Sequence, residues 1–219
     1  MLITTKSGKT VVITPIKHGS LRINFAGMEI EVDPAGKLPP VTDYAALPKA
    51  DLVLVTHEHF DHCDKQAIEA LQKPGTVTVV NAASAQQLGF GNVMKNGETF
   101  AFSPEVTIEA VPAYNTSASK QQFHPRGRDN GYILTLDGLR IYIAGDTEVI
   151  DELSALTDID VAFLPCNLPY TMTPEQLDEA ARKFMPRVLF PYHYSDTKIE
   201  RVVELLEGSG IDVRIRPYQ

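Results

Sequence analysis

A chain of 219 residues, 43% hydrophobic and 22% charged, has the make-up of a globular protein, and its length suits a single domain, 1–219. Its 20 basic against 28 acidic residues give a net charge of −8, which argues against a nucleic-acid partner but leaves room for a small-molecule substrate, because bound metal supplies positive charge locally. No apolar run is long enough for a membrane span, and the opening MLITTKSGKTVVITP lacks the charged head and apolar core of a signal peptide, so no membrane association and a cytoplasmic location are expected.

In chain order, Thr10–Ile16, Leu21–Phe25 and Met28–Val32 read as strands from their β-rich or alternating pattern. A proline-punctuated loop, Pro34–Pro40, follows. Asp51–Thr56 is a nearly continuous apolar run, the mark of a strand buried on both faces. Lys65–Gln72 suits a short helix with Asp64 as its N-cap. Val77–Val80, Val106–Val111 and Gly131–Thr135 read as further strands. Asp137–Gly138 predicts a tight hairpin into Leu139–Ala144, since both positions tolerate positive φ. Asp160–Leu164 is strand-like. Thr173, Pro174 and Gln176 make a capping box that opens a helix to about Phe184. Val188–Pro191 is a strand, Lys198–Glu207 a helix ended by Gly208, and Val213–Ile215 a last strand. Strands come early, strand–helix alternation late, and no internal repeat is visible; the class is mixed α/β.

One cluster stands out: His57-Glu58-His59-Phe60-Asp61-His62, holding three of the six histidines. From the chain's own composition this pattern arises by chance roughly 3 × 10⁻⁴ times. In extended backbone His57 and His59 point the same way, and a turn toward the next helix brings Asp61 and His62 back to them. Imidazole nitrogens and a carboxylate suit Zn²⁺ first, with Mn²⁺ or Fe as alternatives, better than Ca²⁺ or Mg²⁺. Four ligands within six residues divide more easily between two ions than around one. Asp146, in Gly145-Asp146-Thr147, and His193, in Pro191-Tyr192-His193, each follow a predicted strand, where α/β sheets carry their sites.

With these residues the chain resembles the metallo-β-lactamase fold superfamily, and within it the compact branch of metal-dependent hydrolases that includes ascorbate-6-phosphate lactonase-like proteins. The resemblance runs from Val32-Asp33-Pro34 to Pro191-Tyr192-His193. It implies a four-layer αββα sandwich. It also implies one or two divalent ions: His57 and His59 on the first, Asp61, His62 and His193 on the second, and Asp146 bridging, with Asp61 also a catalytic group. The family usually adds a histidine on the first ion after a strand that precedes Gly-Asp-Thr. Here Asn115 stands at that place, and His124 or Asn115 itself is the candidate substitute.

The expected activity is hydrolysis by a metal-bound hydroxide, whose water ionises near pH 7 instead of 15.7, acting on a small anionic substrate with a lactone, phosphodiester or other ester-like bond. Two divalent ions less Asp61, Asp146 and hydroxide leave one positive charge for an anionic transition state. Asp33 and Glu58 are candidates to orient ligand histidines. His18, Arg126 and Arg128 are candidate substrate contacts. Cys63 and Cys166 read as free packing thiols, and Tyr170 and Tyr194 as core residues. Neither a Gly-x-Ser-x-Gly elbow nor a phosphate-binding P-loop is present. The competing expectation is a non-catalytic metal or metabolite sensor, motivated by Asn115.

Overall fold

The computed structural model describes residues 1–217, in two compact units, Met1–Lys95 and Asn96–Arg216. In the first, β1 (Leu2–Thr4), β2 (Thr10–Lys17), β3 (Ser20–Phe25) and β4 (Met28–Val32) form an antiparallel meander. Parallel strands β5 (Leu52–Leu54), β6 (Val77–Val80) and β7 (Asn92–Val93) extend it into a seven-stranded sheet in chain order. Parallel neighbours need crossovers, and α1 (Lys65–Leu71) and α2 (Ala82–Leu88) supply those from β5 to β6 and from β6 to β7. The Asp64 carboxylate accepts the Gln66 N–H at 3.0 Å and so caps α1, as its sequence position predicts. Val53, Val55, Ile68, Leu71 and Leu88 pack into the apolar cluster of this unit.

The second unit repeats the plan. Strands β8 (Thr99–Ser103), β9 (Val106–Ala113), β10 (Asp129–Leu136) and β11 (Leu139–Ile143) are antiparallel. Strands β12 (Val161–Pro165), β13 (Val188–Tyr192) and β14 (Asp212–Val213) continue in parallel, again making seven. Asp137 and Gly138, at φ 47° and 77°, make the predicted tight turn. Helix α3 (Pro174–Phe184) carries both bonds of the capping box, and α4 (Glu200–Leu205) follows β13.

The α/β class of metallo-β-lactamase type is borne out, each unit contributing a mixed sheet with helices. The differences are local. β5 is confined to Leu52–Leu54 because the Thr56 N–H leaves the ladder for a carboxylate. The last strand lies at Asp212–Val213 instead of Val213–Ile215. Strands β1, β7 and β8 and helix α2 carry weak patterns and escape sequence reading. No described helix is long and apolar enough to cross a membrane.

Candidate metal centre

The first unit supplies donors from three connections of its sheet. After β5 the Thr56 N–H donates to Asp33 Oδ1 at 2.8 Å, and the Thr56 hydroxyl donates to Asp33 Oδ2 at 2.7 Å. Asp33 follows β4, is fully buried and sits at φ 46°. The same Oδ2 accepts His62 Nδ1–H at 2.8 Å. A carboxylate only accepts, so Nδ1 carries the His62 proton and Nε2 the lone pair. The Thr56 hydroxyl has one proton and gives it to Asp33. His57 Nδ1, 3.0 Å from Thr56 Oγ1, is therefore the donor there, and His57 Nε2 also carries a lone pair. His57 Nε2 lies 3.1 Å from His59 Nδ1, and the His57 and His62 rings are 4.2 Å apart at their centroids.

Residues 59–63 bend back because the His62 and Cys63 N–H groups both donate to the His59 carbonyl. His18, in the turn between β2 and β3, places Nε2 3.1 Å from Asp61 Oδ2. The donor atoms of His18, Asp61 and His62 all lie within 4.8 Å of one another. His18, read from sequence as a substrate contact, is thus grouped by the structure with ligand-type side chains. Its signal was weak: a lone histidine in a Lys-His-Gly turn.

The second unit holds its own set. Asp146 follows β11 through Ala144 and Gly145, whose N–H donates to the Tyr192 hydroxyl at 2.9 Å. One Asp146 oxygen, Oδ2, is 3.4 Å from His124 Nε2; the other, Oδ1, is 3.4 Å from His193 Nε2. All three are buried. His124 Nδ1 donates to Asp129 Oδ2 at 3.0 Å, which leaves the Nε2 lone pair facing Asp146. Two ligands bound to one tetrahedral ion at about 2.1 Å stand about 3.4 Å apart. A lone pair and a carboxylate oxygen at that spacing fit a shared cation, and the carboxylate with a histidine on each oxygen has the form of a bridge. Metal therefore suits the residues present, and the donors form a His/Asp cluster able to bind it.

The two candidates for the missing histidine make different contacts, and the Asn115 Oδ1 is buried with no hydrogen-bond partner. The Asn115 side-chain amide donates to the Lys120 carbonyl at 3.1 Å and the Tyr170 carbonyl at 2.9 Å, so it ties down backbone, while His124 reaches Asp146. Arg128 spends Nε on Asp129 Oδ1 at 2.6 Å, and a terminal nitrogen on the Phe123 carbonyl at 2.6 Å. Arg126 pairs with Glu152 at 2.8 Å, its guanidinium 5.1 Å from the Tyr114 ring centroid. Both arginines brace their loop. Asp129, which orients His124, was missed in sequence; it begins a strand and carries no motif. Of the two carboxylates proposed to orient ligands, Asp33 does so for His62, and Glu58 is half-buried between His57 and His59. Tyr170 is 43% exposed rather than core, whereas Tyr194 packs partly buried on the apolar cluster of its unit. Burial pushes the Cys63 and Cys166 thiols up to about 12, consistent with inert packing residues.

A family model described as a beta-lactamase superfamily domain matches residues 12–193. The chain belongs to this superfamily of metal-dependent hydrolases with the metallo-β-lactamase fold. A UPF0173 metal-dependent hydrolase of Thermococcus kodakarensis is 35% identical over 161 residues, 67% of this chain and 68% of the relative. One from Geobacillus thermodenitrificans is 30% identical over 188 residues, 81% and 83% of the two chains. The crystal structure of a provisionally named metal-dependent hydrolase from Parabacteroides distasonis superposes with a TM-score of 0.97 at 54% identity, covering 100% of this chain and 98% of that one. Igni18, a metallo hydrolase from Ignicoccus hospitalis, gives 0.77 at 28% identity over 94% and 95%.

Proposed function

We propose that these donors hold divalent ions which serve the hydrolysis of an ester-like bond, lactone or phosphodiester, in a small anionic molecule. By the family pattern His57 and His59 would hold one ion and Asp61 and His62 another, and in the second unit Asp146, with His124 and His193 beside it, would be a metal ligand as well. The observation that carries this reading is the Asp146 carboxylate, with a histidine Nε2 at 3.4 Å from each of its oxygens. The nitrogen and oxygen donor set favours zinc, with manganese or iron as alternatives. Bound there, such ions lower the pKa of water toward 7 and stabilise negative charge as the bond opens. Asp33 and Thr56 fix the tautomers of His62 and His57, and Asp129 does so for His124. Asp61, only 18% exposed and beside His18, would take a proton from the attacking water and return it to the leaving group.

Arg126 is paired with Glu152 and Arg128 with Asp129, so the preference for an anion rests on the net charge of the loaded centre. The sensor reading rests on Asn115, whereas His124 Nε2, 3.4 Å from Asp146 Oδ2, supports the enzyme reading. The free, buried thiols support a reducing, cytoplasmic setting. The test is the double substitution His57→Ala/His59→Ala, assayed for metal content and for turnover of lactones, phosphodiesters and thioesters. Loss of both is expected; full metal content with full turnover overturns the proposal.

A further inference from the structure

The connection between β9 and β10 carries His124 near its end. A loop of this length costs conformational entropy to hold in one shape, and a ligand on it needs a reason to be in place before the ion arrives. The chain provides that reason in Glu148, two residues beyond Asp146 and fully buried. Its Oε2 accepts the Thr116 N–H at 2.9 Å and the Ser117 N–H at 2.7 Å. Its Oε1 accepts the Ser117 hydroxyl at 2.8 Å and faces Lys120 Nζ at 2.7 Å. Lys120 Nζ also donates to the Thr171 carbonyl at 2.9 Å. Asn115 closes the clamp: its backbone N–H donates to the His124 carbonyl at 2.8 Å while its amide holds Lys120 and Tyr170.

We propose that Glu148, with Lys120 and Asn115, is a positioning residue that locks the 114–128 loop and so sets His124 at the metal. This rests on the reading above that His124 is a ligand. The residue that stands in the family's histidine position serves in this chain as a brace for the histidine that replaces it. Glutamine cannot substitute for Glu148 without turning an NH₂ onto a donor and leaving the mostly buried Lys120 charge without its carboxylate.

The experiment titrates the metal-stripped full-length protein with Co²⁺, followed by its visible absorption, for the wild type, Glu148→Gln, Lys120→Met and His124→Ala. His124→Ala defines the ion that depends on that ligand. Glu148→Gln and Lys120→Met are expected to weaken that same ion about 10- to 100-fold, the range for groups that orient ligands, with the other ion held as in the wild type. Lys120→Arg, which keeps the charge, is expected to restore binding. Unchanged affinities in Glu148→Gln, or equal weakening of every ion together with a fallen thermal midpoint, overturn the positioning role. If His124→Ala itself loses no Co²⁺, the ligand reading of His124 falls and the positioning role with it.

Discussion

Gly19 shows how closely the first donor set is packed. A Cβ there would meet His62 Cε1 at 2.7 Å and Nδ1 at 3.1 Å. His62 is not free to swing away, because its Nδ1–H is held by Asp33. Gly19→Ala is therefore expected to displace the imidazole and weaken metal binding at least tenfold while the fold persists, since overpacking of this kind costs about 1–3 kcal/mol. Metal titration beside far-ultraviolet circular dichroism checks it; wild-type affinity in the variant would show that the ring has room to move. At this scale the sequence disclosed the compact motif well, because four ligand-type residues in six positions need no third dimension to be noticed. Asp33, Asp129 and Glu148 were legible only in part or not at all. Their importance comes from which nitrogen or N–H group they face, set for Asp33 and Glu148 by segments about 30 residues away and for Asp129 by the turn that brings His124 back to it.

Helix α3 is the element most fully written in its sequence. The Thr173 hydroxyl accepts the Gln176 N–H at 3.1 Å, and the Gln176 side chain accepts the Thr173 N–H at 2.9 Å. Both follow from local spacing, so the helix start was readable. Helix α2 begins with Asn81 accepting the Ser84 N–H at 2.7 Å, but its AASAQQL sequence lacks the apolar stripe that would announce it. Thr173→Ala removes one cap bond and is expected to cost about 1 kcal/mol. For a chain of this size that is a fall of about 2–4 °C in thermal midpoint, with catalytic turnover unchanged. Calorimetry of the two proteins measures it, and a fall beyond 8 °C would mean that the cap does more than close one helix end.

Across the whole molecule, the repeated plan of four antiparallel and three parallel strands sets where donors fall. His18 lies between β2 and β3, and His124 between the corresponding β9 and β10. Asp33 follows β4 as Asp146 follows β11. No sequence repeat betrays this, because backbone hydrogen-bond order survives the loss of side-chain identity.

Stability has a pH term of its own at Glu31, on strand β4. Burial pushes its carboxyl up to about 7 from an ordinary 4.5, outweighing the Arg22 guanidinium beside it. Folding thus favours the protonated acid, and that contribution, complete below about pH 4.5, is lost as pH rises through 7. Urea unfolding at pH 5 and pH 8 should show a decline in the wild type that is shallower in Glu31→Gln; equal slopes would place the pH dependence elsewhere.

His18, Asp33 and His193 share left-handed backbone, at φ 47°, 46° and 51°. Such torsions suit asparagine, aspartate, histidine and glycine, and burden other side chains by about 1–3 kcal/mol. Alanine scanning would therefore misreport these positions, mixing the missing imidazole or carboxylate with a chain forced into a posture it resists. Asparagine is the cleaner replacement, and the gap between the two variants at each position separates what the side-chain chemistry contributes from what the handedness of the main chain demands.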